Sequence, residues 1–569
     1  LNGPRPDTVN PSLWRQAQLN AIYGLFKVTD RIYQIRGFDL ANMTLIEGDT
    51  GWIIVDPLTA TETVRAAMEV VDEHFGKRPI KAILSTHSHV DHFGGIRALA
   101  NEEDLASGKI RFVAPAGFVE EAASENVIAG NAMGRRATYM FGNLLPASVQ
   151  GNVDSGLGKG VAFGTISLLT PTDVVTATGQ KLVLDGVTFE FQNVPGAEAP
   201  AEFIFYLPEF KALCLAEEVN AVMHNLYTPR GAKTRDALIW ARHLTDTLEL
   251  FGDRMDLAFG SHHWPRWGRK DAFEYISKQR DMYRFMHDQT VRLMNSGYTS
   301  TEISNMLDLP PSLRQEFYNR DYYGTVSHNV RAVYNFYLGY FDAVPANLNP
   351  LAPSVRAEKY VALAGGAEVV MAKAKTAFDA GEYRWAAELL NHLVFAAPDN
   401  EPAKNLLADS YEQMGYQAES GPWRNFYLTG AQELRRGILK PERVRTVSPD
   451  LIASVPTFMF LDFMGVRFDP EDADDLKVKI NLDFTDTDEQ FVLSLENSVL
   501  NNIPGKQDPE ANASLKLTRA LFNRVALGET NFAKEIVLGN VKFSGNPLAL
   551  TRVFGRLQEF DPWFNIVTP

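Results

Sequence analysis

Residues 86–95 read THSHVDHFGG and follow, after Ser85, IKAIL (residues 80–84), a short apolar run of strand character. Four potential metal ligands, His87, His89, Asp91 and His92, therefore crowd the exit of one strand. Two histidines spaced by one residue can meet a single metal ion from a loop. Asp91 and His92 then project toward a second ion. Imidazole and carboxylate donors in this combination suit zinc. Gly94 and Gly95 allow the chain to turn closely past the ions into a helix. The competing reading is an exposed polar loop with chance histidines, and so dense a set of ligands at a strand exit weighs against it.

Outward from this stretch, the pattern is that of a layered α/β domain. RIYQIRG, MTLIEGD and GWIIVDP upstream are short β-rich segments separated by Gly and Asp, and a helix is predicted over Thr61–Phe75. Downstream, GFVEEAASENVIAGNAMGRRATYMFG reads as helix with an interruption. KLVLDGVTFEFQNV, AEFIFYLPEF and KALCLAEEV return to strands, and MDLAFGSHHW ends the region on a strand with two histidines at its exit. Helical spacing dominates residues 270–342, and PANLNPLAP (345–353) is the best linker. Beyond it, Ala374, Phe378, Gly381, Tyr383, Ala386 and Leu389 fall near tetratricopeptide-like spacing. In the last part LKVKINLDF, FVLSLENSVL and ASLKLTR alternate at period two, with helices expected over 451–465 and 546–557, an α+β module. The division that results is 1–345, 346–445 and 446–569.

Composition narrows the classes. The chain has 569 residues, 45% hydrophobic and 22% charged, the balance of a globular protein, and no apolar run approaches the ~20 residues of a membrane span. A formal net charge of −15 argues against a nucleic-acid partner and means that an anionic substrate needs local positive charge. Cys214 is the single cysteine, which excludes an intrachain disulfide framework and any multi-Cys zinc site. The chain starts at Leu1 without an initiator Met. A removed leader is one explanation, giving the expectation of a periplasmic or secreted protein.

THSHVDH matches the HxHxDH signature of the metallo-β-lactamase superfamily, and the later landmarks follow in order. GAEAPAE places Glu198 where most of these hydrolases have His, CLAEE places Glu217 where they have a bridging Asp, and GSHHWPRWG supplies His262. This combination resembles the alkylsulfatase branch, as do HNLYTPRGAKTRD and YYGTVSHNVRAVYNFYLGYFD. The resemblance spans essentially the whole chain. It implies a metallo-β-lactamase αββα sandwich, an all-α tetratricopeptide-like domain forming a homodimer, and an α+β sterol-carrier-protein-like domain with an apolar cavity.

It also implies two zinc ions held by His87, His89 and Glu198 and by Asp91, His92 and His262, bridged by Glu217. The expected substrate is a primary or secondary alkyl sulfate, hydrolysed to alcohol and inorganic sulfate by a metal-bound hydroxide. Two divalent ions against Asp91, Glu198, Glu217 and hydroxide give a formally neutral cluster, so the sulfate needs another cation. Arg230, with its planar fork, and the Thr228 hydroxyl are the candidates for holding it. His224 in the same segment is the candidate general acid. Tyr139 and Asn143 are candidates for lining the pocket, an ordinary core or loop role being equally open. Two other readings stand beside this one: a superfamily hydrolase for a thioester, lactam or phosphoester, and a lipid-binding protein with a vestigial metal site.

Overall fold

The computed structural model describes residue 1, residues 3–440 and residues 449–569. The expected boundary at 445/446 lies outside the described residues. Seven strands form a first sheet in sequence order: β1 (Gly24–Thr29), β2 (Ile32–Arg36), β3 (Met43–Glu47), β4 (Trp52–Val55), β5 (Ile80–Leu84), β6 (Arg111–Pro115) and β7 (Asp173–Val175). Pairing is antiparallel as far as β4 and parallel from β4 to β7. The second sheet holds β8 (Lys181–Leu184), β9 (Val187–Asn193), β10 (Phe203–Leu207), β11 (Ala212–Cys214), β12 (Leu257–Phe259) and β13 (Arg266–Trp267), ordered β13-β12-β11-β10-β9-β8.

The sheets face each other across one core. Ile46, Ile53 and Leu84 from the first meet Phe189, Phe205 and Phe259 from the second, and Cys214 is buried among them. The outer face of the second sheet is covered in turn, with Ile204, Tyr206 and Leu213 packed in one cluster with Trp240 and Leu244 of helix Ala237–Phe251. Strands covered on both faces have no reason to alternate. WIIV of β4 and FIFYL of β10 are accordingly buried at every position. This is the expected αββα sandwich.

The expected helix after the histidine cluster does not form. Two single 3-10 turns, Val90–His92 and Ile96–Ala98, stand there instead. The glycines serve close approach: a Cβ on Gly94 would lie 2.1 Å from Thr59 O, and one on Gly95 2.4 Å from Pro57 O. The interruption expected within residues 117–142 is a π-helical turn, Ser124–Ile128.

The helical region stacks Ala367–Asp379, Tyr383–Ala396, Glu401–Gln417 and Gly421–Arg436 around Ala374, Leu390, Leu393 and Leu407. The described chain divides into two compact units that depart from sequence order. The first comprises Leu1–Phe118, the chain from Met133 through the helical region, and Trp563–Pro569; the second takes Val119–Ala132 together with the chain beyond the helices to Pro562. In the second unit β14 (Val478–Phe484), β15 (Glu489–Glu496), β16 (Val499–Pro504), β17 (Ala513–Leu517) and β18 (Lys542–Gly545) form a sheet ordered β16-β15-β14-β17-β18. The helix expected over 451–465 is split into Pro449–Ser454 and Thr457–Arg467, because Pro456 cannot continue a helix. Phe522, Phe532, Ile536, Leu550 and Phe554 line an apolar cavity of about 530 Å³ in this unit. No helix among the described residues is long and apolar enough to cross a membrane.

Candidate metal centre

Each group of candidate ligands leaves the end of a strand. His87 to His92 follow β5, Glu198 follows β9, Glu217 follows β11 and His262 follows β12. The loops that aim them contain unusual backbone: Asp56, Leu58, Ala216 and His263 are non-glycine residues at φ 56°, 50°, 46° and 60°. Left-handed conformations at bulky residues are held only where the surroundings fix them, and such strain gathers at functional sites.

Seven side chains converge. His87, His89, Glu198 and Glu217 form one buried group and Asp91, His92 and His262 a second, each with its ligand atoms within 4.8 Å of one another. Glu217 Oε2 is the shared point, 3.2 Å from His87 Nε2 and 3.1 Å from both His92 Nε2 and His262 Nε2. Glu198 Oε2 lies 3.1 Å from His89 Nδ1.

The outer edges of the imidazoles decide which nitrogen carries the proton. His262 Nδ1 donates to the Leu40 carbonyl at 3.0 Å, and His92 Nδ1 donates to Asp56 Oδ2 at 3.1 Å. His87 Nδ1 meets Thr86 Oγ1 at 3.0 Å, whose own proton goes to Asp56. With protons on Nδ1, all three Nε2 lone pairs point inward. His87 Nε2, His92 Nε2, His262 Nε2 and Glu198 Oε2 are buried without a hydrogen-bond partner among the described residues. Buried polar atoms are rarely left so. Orphaned imidazole lone pairs around carboxylate oxygens are what a divalent cation satisfies, and the residues fit one at each group.

Charge points the same way. Burial alone would raise the Asp91, Glu198 and Glu217 carboxyls. For Glu198 the permanent Arg235 charge outweighs it, and Asp91 and Glu217 are held low by protons shared with His92 and His262, the positive charge that a divalent cation would replace. Behind them lie two more buried carboxyls. Glu202 accepts from the Ala199 and Glu217 amides, and Glu218 accepts from the Glu198 amide. Burial, and then for Glu202 the adjacent Glu218 charge, pushes both up, so this pair keeps a proton while the ligands stay ionised.

Three family models match in order: metallo-beta-lactamase superfamily over residues 36–262, alkyl sulfatase dimerisation over 299–437 and alkyl sulfatase C-terminal over 445–569. The chain is 48% identical to a linear primary-alkylsulfatase of Pseudomonas sp, over 99% of this chain and 84% of that protein. This chain belongs to the alkylsulfatase family. It is also 46% identical to an alkyl/aryl-sulfatase of Saccharomyces cerevisiae, over 99% of this chain and 87% of that one. A solved stereoselective inverting sec-alkylsulfatase from Pseudomonas sp. superposes with a TM-score of 0.97 at 43% identity, covering 100% of this chain and 90% of that one. The family is one of hydrolases, and the dimerisation match begins ahead of Pro345, taking in helices that the proline-rich linker would leave with the catalytic part.

Within this alkylsulfatase architecture the other candidate residues take distinct places. His224 is buried, with Nε2 2.9 Å from Glu217 Oε1 and Nδ1 2.9 Å from Arg235 Nη1. A guanidinium can only donate, so Nδ1 accepts and the ring is neutral with its proton on Nε2. Nδ1 also lies 3.1 Å from the Asn225 carbonyl, which takes an Arg235 N–H as well. A second proton, on Nδ1, would set its N–H against the Arg235 N–H. Thr228 is buried with its hydroxyl 3.2 Å from Met140 Sδ, and Arg230 is half-buried with Nη1 on the Gly231 carbonyl.

Tyr139 does not join them. Its hydroxyl donates to Glu433 Oε2 at 2.6 Å, in a buried network in which Arg135 pairs with the same oxygen, so it ties helix to helix and is not free for substrate. Asn143 makes no hydrogen bond that would place it at the ligand cluster. His263 faces the Ala221 amide and the Gly156 carbonyl, and burial pushes it down to about 3. Three residues have partners at the site that no sequence motif signals. Asp56 ends the strand segment GWIIVDP; Arg235, 2.6 Å from Glu198 Oε1, closes the segment HNLYTPRGAKTRD. The Tyr323 ring lies tilted against His224 with centroids 5.0 Å apart, and burial, then the Glu217 charge, keeps its phenol protonated.

Proposed function

We propose that this chain hydrolyses alkyl sulfate esters to an alcohol and inorganic sulfate at a two-zinc centre, breaking the C–O bond. The observation that carries it is the seven-ligand cluster with its inward, partnerless Nε2 atoms, in a chain related over its whole length to alkylsulfatases. Two zinc ions, when bound by His87, His89, Glu198, Glu217, Asp91, His92 and His262, would supply Lewis acidity that activates water. The chain's own residues do the rest. Arg230 and Thr228 bind and orient the sulfate group. His224 offers its Nε2 proton as a hydrogen bond to the departing oxygen, exchanging Glu217 Oε1 for substrate. Tyr323 adds a second neutral donor.

The choice of bond rests on the neutrality of His224. A neutral imidazole polarises a neighbouring oxygen but is a very weak proton donor. Sulfate, a weak base, leaves without full protonation; an alkoxide does not. Attack at carbon therefore suits the residues, and the related structure described as inverting agrees with it. Hydrolysis in ¹⁸O-water is expected to label the alcohol, and label in the sulfate would overturn the C–O reading. Absence of sulfate release from protein carrying two zinc ions would overturn the activity. We further propose a homodimer through the helical region, where Tyr340, Leu348, Leu363 and Trp385 are exposed apolar side chains.

A further inference from the structure

A pocket of about 270 Å³ lies beside the metal centre but is lined by none of its seven ligand residues. His262 turns Nε2 toward Glu217 and Nδ1 toward the Leu40 carbonyl, and Leu40 lines the pocket, which therefore sits on the far side of that imidazole. Its apolar walls come from Leu19, Ile22, Leu157 and Trp264. Its two cations are Arg36 and Lys159.

Neither cation makes an ion pair among the described residues, and Lys159 feels a carboxylate only at a distance, that of Asp154. Arg36 stacks its guanidinium 3.9 Å over the Phe26 ring, and its Nε is buried with no hydrogen-bond partner. Burial pushes Arg36 down to about 10, the mark of an uncompensated charge. Lys159 Nζ lies 3.3 Å from the carbonyl of Gly37, the residue after Arg36. The acids nearby are already committed: Asp39 accepts from the Leu40, Thr59 and Ala162 amides, and Asp154 from Asn20 and the Gly156 amide. In a chain of net charge −15, two cations without an ion pair at the wall of one cavity are an exception that a ligand's charge would resolve.

We propose that this pocket binds an anion bearing a short apolar chain, with the head group on Arg36 and Lys159 and the chain on Leu19, Ile22, Leu157 and Trp264. Its volume is at the low end for small-molecule sites, enough for a head group and a few carbons. The site goes beyond the catalytic reading and does not depend on it. An occupant would touch the loop whose carbonyl fixes His262, so binding there reaches the metal centre without entering it.

The test is calorimetric titration of the metal-loaded full chain with octane-1-sulfonate, which has no ester to hydrolyse, and separately with inorganic sulfate. Two binding events per chain are expected for the sulfonate. Lys159→Glu, a change at an exposed side chain, should weaken one of them at least tenfold and leave kcat/KM, read at low substrate, unchanged. Arg36→Gln should weaken the same event and Arg230→Gln only the other. Inorganic sulfate should bind at least tenfold more weakly at the Lys159-dependent site. A single event per chain, or two events that Lys159→Glu leaves unmoved, overturns the proposal. Inorganic sulfate binding as tightly as the sulfonate overturns the role of the apolar walls.

Discussion

Replacing Asp56 with Asn removes one charge and almost no volume from behind the metal ligands. Asp56 is wholly buried at the exit of β4. Its Oδ2 accepts from His92 Nδ1 at 3.1 Å, from Thr86 Oγ1 at 2.9 Å and from the Ser261 hydroxyl, while Oδ1 takes the Thr86 amide at 2.8 Å. Through Thr86 it also steadies His87. Burial would raise this carboxyl, but its contacts with His92, His87 and the Ser261 hydroxyl outweigh it and keep it ionised. Asparagine tolerates the φ of 56° found here, so the substitution tests the charge and not the backbone. An amide cannot accept from all four donors, and it withdraws the negative charge that makes His92 a better ligand. Loss of such a partner costs about 10–100-fold in metal affinity or activity, or ~1.4–2.7 kcal/mol. Competition against a chromophoric zinc chelator gives the affinity, and sulfate release at saturating zinc gives kcat/KM. The two zinc sites should separate, with the one containing His92 weakened more. An Asp56→Asn protein that binds both ions and turns over within threefold of the parent would refute the argument that this carboxylate orients the histidines.

Tyr139→Phe should lower stability by about 1.5–3 kcal/mol through loss of one hydrogen bond to a charged group, and leave KM for alkyl sulfate within twofold; a large KM change would return Tyr139 to the substrate site. Asp154 is fully buried and raised by burial from 3.8 to about 7. The folded state then binds more protons than the unfolded one between those values, so its contribution falls by ~4 kcal/mol as pH rises through them. Asp154→Asn should therefore gain stability over the parent as pH goes from 4 to 8 in denaturant titrations, and a gap independent of pH would contradict this. Leu363→Arg, at a side chain 82% exposed, should convert a dimer to a monomer by light scattering with the far-UV spectrum unchanged.

What the sequence determined by itself was the chemistry carried by local order. Ligands packed as densely as His87, His89, Asp91 and His92 need no tertiary information to be noticed. The strands, too, announce themselves through runs such as FIFYL and the period-two alternation of β14. Glu198, Glu217 and His262 were legible only as landmarks of a family, since nothing local distinguishes Glu217 from Glu218. Tertiary structure divides that pair: Glu217 turns to four imidazoles, while Glu218 turns to the Glu198 amide and a shared proton. Asp56, Arg235 and Tyr323 lie far apart in sequence, and their importance comes from what folding sets beside them. Tyr139 shows the reverse case, a plausible pocket residue whose hydroxyl is claimed by Glu433, 294 positions away. Ligand identity is a property of residue type and spacing. Protonation, orientation and the partner of each buried charge depend on contacts across the chain, and only the fold decides those.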